Sequence, residues 1–379
     1  MIKTGIDRIL DYQGLFKGKR IGLITNPTGV NKDLVSTIDI LNEYTDLVAL
    51  FSPEHGIRGN IQAGVKLDSY IDLKTGIMVY SLYGENRSPS KEMMDKLDIL
   101  VFDIQDVGAR YYTYLYTMSY ALMACKKYNK LMVILDRPNP VDAINVEGNI
   151  LNLECRSFVG YYPIPIRYGL TIGELAILFN EEFKINANLK VIEMEGYDRS
   201  MNYLDTGLDW IMPSPNIPTP LTAYAYLVTC IFEGTNLSEG RGTTKPFFII
   251  GSPYLDSDFV IEEIKKCNLA GVKFRSMYFT PKFSKYKDEL CQGIELIITD
   301  YLSFKPVSIG YILLDIIRKH HKEFSYIKPF TKGGHPFIDL LSGDVLLREN
   351  KLDIMDIINQ MEKDSLSFLR IKRRYHIYD

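Results

Sequence analysis

The feature that most constrains this chain is an alternation, in its first half, between short apolar runs and longer amphipathic stretches. Residues 20–26 (RIGLITN), 46–52 (DLVALFS), 77–83 (IMVYSLY), 98–104 (DILVFDI), 131–136 (LMVILD) and 189–194 read as strands. Residues 33–44, 114–128 and 171–183 between them carry helical periodicity, and Thr171 and Glu174 stand at capping-box spacing. Strands that are apolar throughout and separated by helices are expected to be parallel and buried on both faces, because crossover helices cover the sheet. The chain is therefore predicted to be α/β, with a Rossmann-like, doubly wound, mostly parallel sheet. No dinucleotide is expected on it. The first strand runs into Asn-Pro-Thr-Gly instead of GxGxxG, and neither a P-loop nor a GxSxG elbow occurs.

A length of 379 residues fits about two domains. Between residues 210 and 246 the texture changes to loops rich in Pro, Gly, Ser, Thr and Asn. We expect a Rossmann-like catalytic domain over 1–235 and a smaller α+β domain over 236–379 that completes a cleft. In the second part, residues 247–250, 272–278 and 294–299 read as strands, and 259–267, 307–321 and 354–363 as helices. The net charge of −3 argues against a nucleic-acid partner. The basic run Arg370, Lys372, Arg373 and Arg374 reads as a solvated helix face. Five scattered cysteines suit buried thiols better than disulfides or zinc, and no metal-binding motif is present, so neither metal nor cofactor is expected. No run approaches the ~20 apolar residues of a membrane span, and the N-terminus shows no signal-like run.

Ligands of open parallel sheets bind beyond the carboxyl ends of the strands, so the residues that follow each strand are the informative ones. After the first comes Asn26. After the second come Glu54, His55 and Arg58, then Gly59. The fourth ends in Asp103 and Asp106, with Arg110, Tyr111 and Tyr112 beyond, and the fifth leads to Asp136, Arg137 and Asn139. Glu54, between a proline and a histidine, suits a general acid with a raised pKa; an ion pair with Arg58 is the structural alternative. His55 could orient Glu54 or simply pack. Asp103 and Asp106 could serve catalysis or bind Arg110 to fix the loop. Tyr114 and Tyr116 are expected to pack, while Tyr111 and Tyr112 could face a sugar. A second cluster lies in the loop region: Asn216, Glu233, Asn236, Glu239, Arg241 and Thr243. Glycine-bearing loops of this kind present backbone amides and polar side chains together, which suits hydroxyl, acetamido and carboxylate groups at a domain seam.

These segments together resemble a known family. GLITNPTGV (22–30), FSPEHGIRG (51–59), VFDIQDVGARYYTY (101–114), LDRPNP (135–140), GLTIGELA (169–176), PSPNIPT (213–219) and EGTNLSEGRGTTKPF (233–247) occur in order. They are similar to the DUF1343 family, associated with NamZ-like exo-β-N-acetylmuramidases. The resemblance implies a pocket between the two domains and release of non-reducing terminal N-acetylmuramic acid from β-1,4-linked glycans. It implies a peptidoglycan-type substrate of the cell envelope or its recycled fragments, and it makes Glu54 the essential carboxyl. The partner of Glu54 would be Asp103, Asp106, Glu239 or the substrate's own acetamido oxygen. Arg58, Arg110 or Arg241 would then pair with the lactyl carboxylate of muramic acid. A non-catalytic glycan sensor using the same cleft is the alternative reading.

Overall fold

The computed structural model describes residues 1–53, 56–58, 69–82 and 87–379. Seven strands among these residues form one sheet: β1 (Arg20–Thr25), β2 (Asp46–Ser52), β3 (Tyr70–Ile71), β4 (Met78–Ser81), β5 (Ile99–Asp103), β6 (Leu131–Leu135) and β7 (Asn188–Ile192). Their order is β3-β4-β2-β1-β5-β6-β7, and every pairing is parallel except β3 with β4. The chain winds outward from β1 in both directions, so the switch point of this doubly wound sheet lies between β1 and β5. There Thr25 stands opposite Asp103.

The two-residue period of the strands explains the layers. Ile24, Leu100 and Phe102 pack on one side with Leu115 and Leu122 of the helix Tyr114–Lys127 and Leu175 and Phe179 of the helix Ile172–Glu182. Leu23, Val101 and Val133 point the other way, onto Ile38 and Leu41 of the helix Thr37–Tyr44 and onto Ile6 and Ile9. The capping box at Thr171 and Glu174 forms as its spacing predicts. The helix expected from residue 33 instead starts at Thr37. The Asn31 side chain accepts from the amides of Asp33 and Val35, which curls that segment into an Asx-type turn before Ser36 caps the helix.

The smaller domain carries a three-stranded antiparallel sheet, β8 (Ile249–Ser252), β10 (Cys291–Ile298) and β9 (Val272–Phe279), in the order β8-β10-β9. It is backed by the helix Ser257–Lys266, on which the helix Pro306–His320 packs in turn. One apolar core joins the domains. Val107, Tyr111 and Val141 of the first pack with Tyr226, Phe247, Ile294 and Leu313 around the second.

The last helix, Ile354–Lys372, runs nine residues past its expected end and returns the chain to the large domain. Lys372 does not sit on a solvated face as its neighbours suggest. It is 2 % exposed and donates to the carbonyls of Ala143, Ile144 and Gly169 at 2.6–2.8 Å. Beyond it, the Tyr378 hydroxyl donates to Asp136 at 2.6 Å, and the Ile377 amide donates to Glu174 at 2.9 Å. The tail thus straps the ends of β6 and the helix Ile172–Glu182. Four of the five cysteines are buried; Cys267 is exposed, against expectation, because it ends an amphipathic surface helix.

Candidate active site

At the switch point the loops after β1, β5 and β6 are tied together. The Thr28 amide and hydroxyl donate to the Asn26 Oδ1, and the Gln105 amide donates to the Thr28 hydroxyl. Gln105 Nε2 in turn donates to the Pro138 carbonyl at 2.8 Å. Asp103 is fully buried and receives a fork from Arg137, at 2.5 and 2.9 Å, together with the Thr37 hydroxyl. Asp106 is held through Oδ2 by the Tyr168 hydroxyl and the Gly108 amide, and burial pushes its carboxyl up to about 6. Asn139 binds the Leu170 carbonyl and the Val141 amide. Asn26 Nδ2 and Arg110 Nε are buried donors left without a partner among the described residues of this edge.

Arg110 has no exposure. Its guanidinium donates to the carbonyls of Asn149, Ile164, Leu341 and Ser342, so it ties the large domain to the C-terminal segment. Arg58 forks onto Asp72 at 2.7 and 2.9 Å, and that contact draws the Asp72 carboxyl down to about 2. Glu54 and His55 lie outside the described residues, between Pro53 at the end of β2 and Gly56.

The loop that follows β5 leads straight into a hollow at the seam, with a volume of about 220 Å³. It is lined by Tyr111, Tyr112, Thr113 and Tyr114, by Asn216, Glu233 and Arg241, and by Phe158 and Phe337, whose rings stack with centroids 6.3 Å apart. The Tyr111 hydroxyl is spent on the carbonyls of Tyr226 and Leu227, so its oxygen is not offered to a ligand. Tyr114 and Tyr116 are buried, as expected, and bind the carbonyls of Pro213 and Arg110.

Glycine sets the position of Arg241. Gly240 and Gly242, on either side of it, both take φ near +80°, a conformation that L side chains avoid. A Cβ on Gly242 would also lie 2.5 Å from the Phe283 carbonyl oxygen. Between these turns Arg241 donates to Glu233 at 2.8 Å and meets Glu239 at 3.2 Å. Lys285 braces the far side, bonding Glu239 at 3.0 Å and the carbonyls of Phe232 and Leu237. Burial raises the Glu233 carboxyl above its usual range. Asn236 instead anchors residues 323–325, through the Glu323 carbonyl and the Ser325 amide, and Thr243 closes a turn onto the Gly240 carbonyl. Of the residues expected to bind a ligand, the hollow therefore gathers Tyr111, Asn216, Glu233 and Arg241. Lys285, Phe158 and Phe337 were not foreseen. Lys285 sits in a lysine-rich loop that reads as solvent-facing, Phe158 lies in a segment without a motif, and Phe337 opens a segment (FIDLLSG, 337–343) that resembles the family only loosely.

Asp136 is fully buried under the tail, and burial pushes its carboxyl up to about 7 despite bonds from Tyr378, Thr171 and Gly173. Asp344 is likewise raised to about 6 by burial. Acids raised in the folded state bind protons more tightly there, so their stabilisation is complete below the unfolded value near ~4 and is lost as pH climbs through 6 to 7. His376, lowered to about 4 by burial, and Lys372, lowered to about 7 by burial, oppose this in part. Asp72 and Asp98, both lowered to about 2, lose their contribution only below the window. The expected outcome is a fall in melting temperature of roughly 5 °C between pH 5 and pH 8. Asp136→Asn flattens that fall when melting is followed by calorimetry across the range.

The fold and the seam define a two-domain α/β protein with an acid- and arginine-lined hollow where the switch-point loop meets the second domain. The family models for the N-terminal and C-terminal parts of exo-β-N-acetylmuramidase NamZ match residues 21–221 and 224–378, and the chain belongs to this family. It is 49 % identical, over 383 aligned residues, to peptidoglycan β-N-acetylmuramidase NamZ of Bacillus subtilis (strain 168), spanning all of this chain and 91 % of that protein. Two crystal structures of DUF1343 family proteins from Bacteroides fragilis NCTC 9343 share the fold. One has a TM-score of 0.90 at 38 % identity and the other 0.77 at 33 %; each match covers 100 % of this chain and 99 % of the other.

Proposed function

We propose that this chain is an exo-β-N-acetylmuramidase that releases terminal N-acetylmuramic acid from β-1,4-linked peptidoglycan fragments. The observation that carries this reading is the full-length relationship to a peptidoglycan β-N-acetylmuramidase. The seam supports it. A hollow of about 220 Å³ is smaller than the ~300–1,000 Å³ of drug-sized sites, and so suits one terminal sugar.

In this reading Glu54 is the general acid. It protonates the glycosidic oxygen as the bond to the anomeric carbon breaks. Of the carboxyls expected to help, Asp103 is engaged with Arg137 and Glu239 with Arg241 and Lys285, while Asp106, held through Oδ2 by Tyr168, does not line the hollow. That favours the sugar's own acetamido oxygen as the group that attacks the anomeric carbon. Water then opens the resulting ring at the same carbon and returns a proton to Glu54. Two displacements retain configuration.

The test is to incubate the protein with N-acetylmuramyl-β-1,4-N-acetylglucosamine and follow the products by NMR. Free N-acetylmuramic acid, first seen as the β-anomer, is expected. No release of muramic acid overturns the function and leaves the glycan-sensor reading in its place. Release first as the α-anomer keeps the function and removes the acetamido route.

A further inference from the structure

We infer that Arg241 reads the carboxylate of the terminal sugar, and so sets the preference for muramic acid over its uncharged relatives. The inference rests on the muramidase reading above and adds to it the residue that selects the substrate. Muramic acid differs from glucosamine by a lactyl ether that carries a carboxylate, so a selective site needs a cation within reach of the sugar. Of the three arginines whose positions in the chain suited this task, two are committed. Arg58 spends Nε and Nη2 on Asp72 and does not line the hollow. Arg110 is sealed in the interior with four carbonyls around it.

Arg241 alone of the three lines the hollow, with its side chain 28 % exposed. It is also pre-oriented. Nη2 is held by Glu233, Nε faces Glu239, and the cation lies 5.0 Å from the centre of the Phe247 ring. Nη1 has no partner among the described residues. Glu239 is shared with Lys285, so two carboxylates face two cations at this corner of the hollow. Burial raises the Glu233 carboxyl above its usual range, although Arg241 beside it works against the shift. A carboxylate entering here gains charge-assisted bonds from a fork already fixed in place. An ester or a hydroxyl gains only the neutral bond.

The experiment titrates the full-length wild-type protein with N-acetylmuramic acid, its methyl ester and N-acetylglucosamine by calorimetry; none of the three has a bond for the enzyme to cut. The acid is expected to bind at least about tenfold more tightly than the ester. In Arg241→Gln the two are expected to bind within about twofold of each other, with the ester affinity little changed. Arg241→Lys keeps the charge but loses the fork, and is expected to fall between. Should Arg241→Gln fail to fold, as judged by its melting transition, the lysine variant carries the same comparison. An unchanged preference, or an equal loss for acid and ester, overturns the assignment. Failure of the wild type to release muramic acid from the disaccharide would instead sink the proposed reaction, whichever way the ester comparison falls.

Discussion

Glu54→Gln is expected to lower release of N-acetylmuramic acid from muramyl-glucosamine by about 10³-fold or more, while the melting temperature moves by no more than ~2 °C. Glutamine keeps the shape of the side chain and removes only the proton it can give, and general-acid catalysis contributes about 10²–10⁴-fold. The loss has a signature that a packing defect lacks. A sugar alkoxide is a poor leaving group and depends on the donated proton, whereas an acidic nitrophenol leaves with little help. Steady-state kinetics on both substrates should therefore show a much larger fall for the disaccharide than for the nitrophenyl muramide. Equal falls, or retained activity on the disaccharide, would remove Glu54 from the acid role.

Asp103→Ala is expected to have the largest effect on stability, about 3–5 kcal/mol by denaturant unfolding. Asp103 is fully buried at the switch point, and its removal strands the Arg137 guanidinium, itself 5 % exposed at the side chain, with no counter-charge. The Thr37 hydroxyl at the start of the first crossover helix loses its acceptor as well. Replacing both charges, in Asp103→Ala with Arg137→Met, should recover part of the loss, because it no longer leaves an isolated buried cation. A single variant that melts like the wild type but no longer turns over substrate would show instead that Asp103 belongs to the chemistry.

The pattern of strands and crossovers was legible because burial on both faces leaves an unbroken apolar run, as in residues 99–102, and because Thr171 with Glu174 spells out a helix start. The extra length of the final helix was not. Its inward face ends in Lys372, and a lysine that satisfies three carbonyls in the interior looks, in a string of letters, like one that faces water. The candidate site divides in the same way. Polar residues at the strand ends were found, but composition does not separate a polar side chain that waits for a ligand from one that holds a loop. Asp103 and Arg137, Asn139 and Leu170, and Arg110 with its four carbonyls are of the second kind. Arg241 could be told from Arg58 and Arg110 only once their partners were in view.

The central claim is that the terminal sugar sits in the seam, between the loop that follows β5 and the glycine-flanked Arg241. A crystal structure of the Glu54→Gln variant soaked with N-acetylmuramyl-β-1,4-N-acetylglucosamine tests this directly. The account predicts the muramic acid ring between Tyr112 and Asn216, its carboxylate on Arg241, and the glucosamine pointing out of the hollow. A disaccharide bound elsewhere on the protein, or entering glucosamine first, would contradict it.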